Sequence, residues 1–194
     1  TSGQKLIDVK FYQISDYYKN QTVRLNADGQ TVKTASVIGG INGYNIWEVK
    51  YPDGVAEITS DLTTKPGSLG MNVLRPGKVE VTLTLDVGPE GAPKLTDTAV
   101  LNVTGVAVEN ADGGFGKAYL ELTSENAAPT MQLKAIPEEG RSIASWTSAN
   151  EAVATVDDKG VVTAHAVGTA QITAIDDNGT KGGILAVVSD SQNP

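Results

Sequence analysis

Cysteine is absent from this 194-residue sequence, and histidine occurs once, at His165. Without thiols there is no disulfide framework, no thiolate metal site and no cysteine nucleophile. No window approaches the ~18 consecutive apolar residues of a membrane-spanning helix, so membrane insertion is not expected. Cationic side chains are also scarce: 15 Lys and Arg stand against 23 Asp and Glu, a net charge of -8. Sequence-independent nucleic-acid binding needs a surplus of Lys and Arg to displace phosphate counterions, so no nucleic-acid partner is expected, and anionic lipid is disfavoured on the same ground. The ends, 1–5 and 189–194, show neither a leader's apolar stretch nor an anchoring motif. Helical periodicity is nearly missing; the best helical segment, 15–19, is short enough to be read as a turn.

What the sequence does contain points to strands. Hydrophobic residues make up 40% of the chain, with Val, Ile and Ala prominent and Thr frequent. Such β-branched side chains pack well on a pleated surface. Short apolar runs recur at 5–12, 32–38, 44–49, 78–87, 98–103, 118–122, 131–135, 160–166, 169–175 and 183–188, separated by Gly, Asn, Asp and Pro. In Val79-Glu80-Val81-Thr82-Leu83-Thr84-Leu85 and Ala170-Gln171-Ile172-Thr173-Ala174 apolar and polar residues alternate, the period of a half-buried strand. Asn42-Gly43, Asp157-Asp158-Lys159-Gly160 and Asp176-Asp177-Asn178-Gly179 read as hairpin connections. This density of strands and turns predicts an all-β sandwich architecture, and the length admits either one large domain or two domains of about 100 residues.

A sharper signal lies in the second half. Trp146-Thr147-Ser148-Ala149-Asn150-Glu151-Ala152-Val153-Ala154-Thr155-Val156-Asp157 precedes Gly160-Val161-Val162-Thr163-Ala164 and then Gly168-Thr169-Ala170-Gln171-Ile172-Thr173-Ala174. This run resembles the bacterial Ig-like domain of group 2, known from intimin- and invasin-type adhesins, surface-layer proteins and tailed-phage structural proteins. The likeness is close over 146–174 and looser from 104 to 189. It implies an immunoglobulin-like β-sandwich and says little about role, because many roles share the module. Trp146 is expected to be the large core plug, closed over by Val153, Ala154 and Val156, with Gly160 and Gly168 at turns that need a permissive backbone.

The first half reads as a divergent copy. Trp47-Glu48-Val49 stands where Trp146-Thr147-Ser148 does, Val55-Ala56-Glu57-Ile58 parallels Val153–Val156, and 76–82 parallels 167–173. Order is kept, with an insertion in the first copy around 63–74. Two tandem Ig-like sandwiches follow, 1–104 divergent and 105–194 of the group 2 type, with little linker between them. An unrelated N-terminal β-domain followed by one Ig-like module is the alternative.

Groups that could carry chemistry are few. His165 reads as a surface strand residue and not as a ligand or base. Gly39-Gly40-Ile41-Asn42-Gly43 lacks the Lys-Ser/Thr ending of a phosphate loop and reads as a flexible turn. The carboxylate pairs Glu138-Glu139, Asp157-Asp158 and Asp176-Asp177 are of a kind that can take calcium, but EF-hand spacing is missing and solvated turns are expected. No catalytic residue and no cofactor is assigned.

Candidate contact residues are the aromatics Tyr17, Tyr18 and Tyr44, beside Phe11 and Tyr12, because tyrosine offers rigid amphipathic area; half-buried packing at strand ends is the reading favoured over that one. The insertion adds Pro66, Gly67, Leu69 and Met71, read as an extended loop. The expectation is a non-enzymatic structural or adhesion protein acting in an assembly or at a host receptor or glycan. An accessory decoration, head or tail protein of a tailed-phage virion comes first. A bacterial cell-surface adhesin or surface-layer module is second, and a carbohydrate-binding accessory module third. The corresponding locations are the virion or the extracellular surface.

Overall fold

Alternation builds the framework strands. Between Gly77 and Leu85, Val79, Val81, Leu83 and Leu85 are buried while the intervening residues are exposed or half-buried; Ala170, Ile172 and Ala174 repeat this between Gly168 and Asp176. Successive side chains point to opposite faces, so each segment can seal one face of a sheet. The computed structural model describes residues 13–29 and 32–191; the expected strand at 5–12, with Phe11 and Tyr12, lies outside the described residues.

The first sandwich comprises a one-turn helix α1 (Asp16–Lys19) and strands β1 (Asn20–Arg24), β2 (Lys33–Ile38), β3 (Asn45–Lys50), β4 (Ala56–Ile58), β5 (Ser68–Val73), β6 (Gly77–Leu85) and β7 (Leu95–Thr104). One sheet has the order β1-β7-β6-β3, the other β2-β5-β4. In the antiparallel β3–β6 pair Trp47 stands opposite Leu83, and Trp47 is 7% exposed among Val37, Leu69, Met71, Val81 and Leu101, all fully or nearly fully buried. Trp47 is therefore a core residue.

The second sandwich holds β8 (Ala107–Glu109), β9 (Lys117–Leu122), β10 (Thr130–Gln132), β11 (Lys134–Ile136), β12 (Ile143–Ser148), β13 (Ala154–Val156), β14 (Val161–Ala164), β15 (Gly168–Asp176) and β16 (Lys181–Asp190). Its sheets run β9-β16-β15-β12 and β10-β14-β13, with β8 and β11 as a two-stranded ribbon. β9 and β16 are parallel, Lys117 facing Leu185 and Leu122 facing Asp190. Val162, Ala164, Ala170, Ile172, Ile184 and Ala186 form the centre of its core.

Seven strands of each sandwich correspond in order, while the β8–β11 ribbon of the second has no counterpart among the described residues of the first. In each, an early strand (β1 or β9), the closing strand, the long alternating strand and the Trp-bearing strand make one sheet, and three other strands make the second. The chain thus holds two Ig-like β-sandwiches of one architecture. The compact units are one ending its first segment at Thr22 and continuing through Thr34–Asn72 and Lys78–Asn102, and a second that joins Val23–Lys33 and Val73–Gly77 to the chain from Val103 onward. Within that second unit the carboxylate of Glu109, 3% exposed, receives the guanidinium of Arg75 at 2.5 Å, as a buried charge requires.

Three expectations change. The segment 63–74 is not an extended loop: it supplies the end of a 3-10 turn (Leu62–Thr64) and the core strand β5. The first copy is longer because 59–67 takes nine residues where 157–160 takes four, and because β5 has six residues where β14 has four. Asn42-Gly43 is a turn, with Gly43 at φ 87°, but it joins strands of different sheets and is no hairpin. Trp146 is half-buried; β12 is an edge strand, as the Trp47-bearing β3 is, but unlike β3 it carries a register shift between Ile143 and Ser145. Its indole packs on the core from the side, against the Gly160 turn.

Candidate functional site

The tyrosines expected to make contacts lie where β1 begins. Ser15 N donates to Ile38 O and Tyr18 N to Ser15 O, which winds 15–18 into the single turn of α1. The carboxylate of Asp97 accepts from Ile14 N at 2.9 Å and pairs with Lys19 Nζ at 3.0 Å, fixing the turn against β7. On this mount Tyr17 is 79% exposed. Its ring meets that of Tyr18 edge-on, centroids 4.9 Å apart and planes at 82°, an arrangement the ring quadrupoles favour. A groove beside the pair is lined by Gln21, Thr34, Ser36 and Thr59, with Gly70 in its floor. Gln21 Nε2 donates to Tyr18 O and to Ser36 O, tying the helical turn to β2.

Tyr44, half exposed, belongs to another grouping. Tyr44 N closes its turn on Ile41 O, Gly43 N donates to Lys65 O and Gly39 N to Gly67 O. Gly67 N in turn donates to Asn42 Oδ1. Pro66 and Gly67 are half-buried within this lacing. Leu69 and Met71 are 0% and 1% exposed, so as core side chains of β5 they offer no contact surface: the alternation of Leu69, Met71 and Val73 turns them inward.

Sequence reasoning missed Asn45, the residue that organises this second grouping. It is 1% exposed. Its Oδ1 accepts from Ile41 N, and its Nδ2 donates to Gly39 O and Pro66 O, all at 2.8–2.9 Å. Trp47 Nε1 donates to the same Pro66 O at 2.7 Å. The amide fills the space where a Cβ on Gly40 would fall, 2.0 Å from Asn45 Oδ1, and Gly40 has φ 66°. The glycine-rich stretch 39–43 is therefore a clamped turn and not a flexible one. The one available signal was a polar residue opening a strand beside glycines.

The carboxylates do structural work. Asp157 Oδ1 accepts from Lys159 N and Val161 N, and Asp176 Oδ1 from Asn178 N and Thr180 N. Gly160 and Gly179 occupy the left-handed position of the same turn at φ 80° and 81°, so both expected hairpins form, with side-chain acceptors closing them. Asp61 caps the 3-10 turn, accepting from Thr63 N and Thr63 Oγ1; these bonds hold its carboxyl below the ordinary aspartate range. His165, exposed, meets Thr155 Oγ1 at 2.8 Å, a pairing across β14's end. Among the described residues no group of three or more His, Asp or Glu gathers that could hold a metal ion, and none of the helices is long and apolar enough to cross a membrane.

Comparison with known proteins adds the family. Over 115 residues, 59% of this chain, the sequence is 33% identical to lacto-N-biosidase of Bifidobacterium bifidum, of which it spans 10%. Among solved structures, the C-terminal fragment of intimin bound to the translocated intimin receptor is 20% identical, covering 86% of this chain and 61% of that one with a TM-score of 0.34. The insect immune protein hemolin is 15% identical, covering 92% and 46% with a TM-score of 0.38. Residues 123–187 match the profile of the bacterial Ig-like domain (group 2), a span that contains the whole Trp146–Ala174 run and strands β10 to β15. That segment belongs to the bacterial Ig-like domain family, group 2.

Proposed function

We propose that this chain is a spacing and contact segment of a bacterial cell-surface or secreted protein, built of two Ig-like modules at 1–104 and 105–194. The observation that carries the reading is the repetition of one strand order in both sandwiches, together with the group 2 match in the second. Both cores are filled with packed apolar side chains, which suits a module whose task is to hold and present surface. The similarity to one tenth of a far longer bacterial protein supports a segment of this kind being built into a larger chain. Its partners are then proteins or glycans met at the surface, through exposed turns and edge strands.

The test is location. Antibody to the full chain, applied to intact producing cells, should label their surface as strongly as it labels a lysate. Label confined to phage particles would overturn this placement in favour of a virion accessory protein, and label found only inside cells would overturn both.

A further inference from the structure

The groove beside Tyr17 and Tyr18 has a chemistry of its own. Its walls carry the hydroxyls of Thr34, Ser36 and Thr59 and the carboxamide of Gln21, and none of its lining residues is ionisable apart from the tyrosine phenols. The nearest charges of α1 are neutralised, Lys19 pairing with Asp97 at 3.0 Å and with Asp16 at 3.8 Å. Gln21 spends both hydrogens of its amide on backbone carbonyls, which fixes the group and leaves its oxygen as an acceptor. Gly70 N is already satisfied by Ser60 Oγ, and the missing side chain at Gly70 keeps the floor low beneath Thr59 Oγ1, 3.0 Å from where a Cβ would sit. Tyr17 stands at the rim, 79% exposed and braced edge-on by Tyr18.

A pre-set aromatic face beside a row of neutral hydroxyls and an amide fits one class of ligand. Sugars present a flat patch of C–H groups that stacks on an aromatic ring and a rim of hydroxyls that pairs with hydroxyls and amides. A charged ligand would find no counter-ion here, and an apolar one would strand the hydroxyls. We propose that this groove binds a neutral oligosaccharide, with one sugar ring on Tyr17 and its hydroxyls on Thr34, Ser36, Thr59 and Gln21. This names the ligand class for the contact role above; because it is read on purified protein, its failure leaves the question of surface location untouched.

The experiment is to present the full chain to an immobilised array of neutral, sialylated and sulfated oligosaccharides, then to titrate the best-retained neutral one by calorimetry. Retention of neutral oligosaccharides is expected, with affinity reduced about tenfold or more by Tyr17→Ala and severalfold by Thr34→Val, which keeps shape and strand preference. Tyr119→Ala, an exposed tyrosine on β9 outside the groove, should bind as the parent does. Retention of no neutral oligosaccharide, retention of charged ones only, or undiminished binding by Tyr17→Ala would overturn the proposal. So would a concentration-dependent dimer that Tyr17→Ala abolishes, since the groove would then be a self-association surface.

Discussion

Replacing Asn45 with alanine tests whether a single amide holds the turn 39–44 in place. The change removes three hydrogen bonds, from Ile41 N and to Gly39 O and Pro66 O. At about 1 kcal/mol each the loss is about 3 kcal/mol, approaching ~5 kcal/mol where a vacated backbone group stays dry. Pro66 O keeps the Trp47 indole, so the larger penalties fall on Ile41 N and Gly39 O. For a domain of ~100 residues, 3 kcal/mol lowers the melting temperature by about 12 °C or more. Calorimetry of the full chain should show that shift, and the Trp47 indole proton should lose protection from exchange. A companion change, Asn45→Asp, keeps the shape but points a carboxylate at two carbonyl oxygens. Those neighbours and burial favour its protonated form, raising the folded-state pKa above the ~3.9 of a free aspartate. Stability relative to pH 7 should therefore recover as pH falls through that raised pKa and be fully regained below ~3.9. A melting temperature lowered by less than ~3 °C in Asn45→Ala would refute the clamp.

The other predictions concern single contacts. Gly160→Ala places a methyl 2.7 Å from the Trp146 ring at a residue with φ 80°; a loss of about 2 kcal/mol is expected in denaturant titration, with a shift in indole emission that a merely strained turn would not give. Arg75→Ala leaves the carboxylate of Glu109 buried without its partner and should cost about 3 kcal/mol, whereas adding Glu109→Gln to that variant should recover part of the loss. Asp61 should titrate below ordinary aspartates in a carbon-detected NMR titration, and Thr63→Ala should return it upward. Its small contribution to stability is present at neutral pH and lost as pH falls through the depressed pKa.

Local rules carried the sequence reading wherever the cause of the structure was local. The period-two runs at 79–85 and 170–174 became β6 and β15 because each could bury one face without help from a distant residue. The two Asp-x-x-Gly turns closed as expected because donor, acceptor and left-handed glycine all lie within five residues. Segment 63–74 was misread because Pro66, Gly67 and Gly70 are loop punctuation, and they outweighed the alternation of Leu69, Met71 and Val73. The half-burial of Trp146 goes with the irregular register of β12 against β15, a pairing with a distant strand that 143–148 alone does not reveal; the edge position is not the cause, since Trp47 on the edge strand β3 is buried. Asn45 was invisible for the same reason: two of its three partners lie on opposite sides of it in sequence, at Gly39 and Pro66. Half-buried packing, the reading favoured for the tyrosine pair, holds for Tyr18 and not for the exposed Tyr17, and the groove beside them needs β2, β5 and α1 brought together.

The parallel pairing of β9 with β16 has a mechanical consequence. These strands are near the beginning and at the end of the second sandwich, and they point the same way, joined over six residue pairs. Tension pulling the polypeptide at its two ends drags the strands lengthwise in opposite directions, so the bonds between them share the load together. Antiparallel terminal strands would instead be peeled apart one bond at a time. A segment stretched between a cell and whatever it grips would thus resist rupture through its strand direction, without any crosslink.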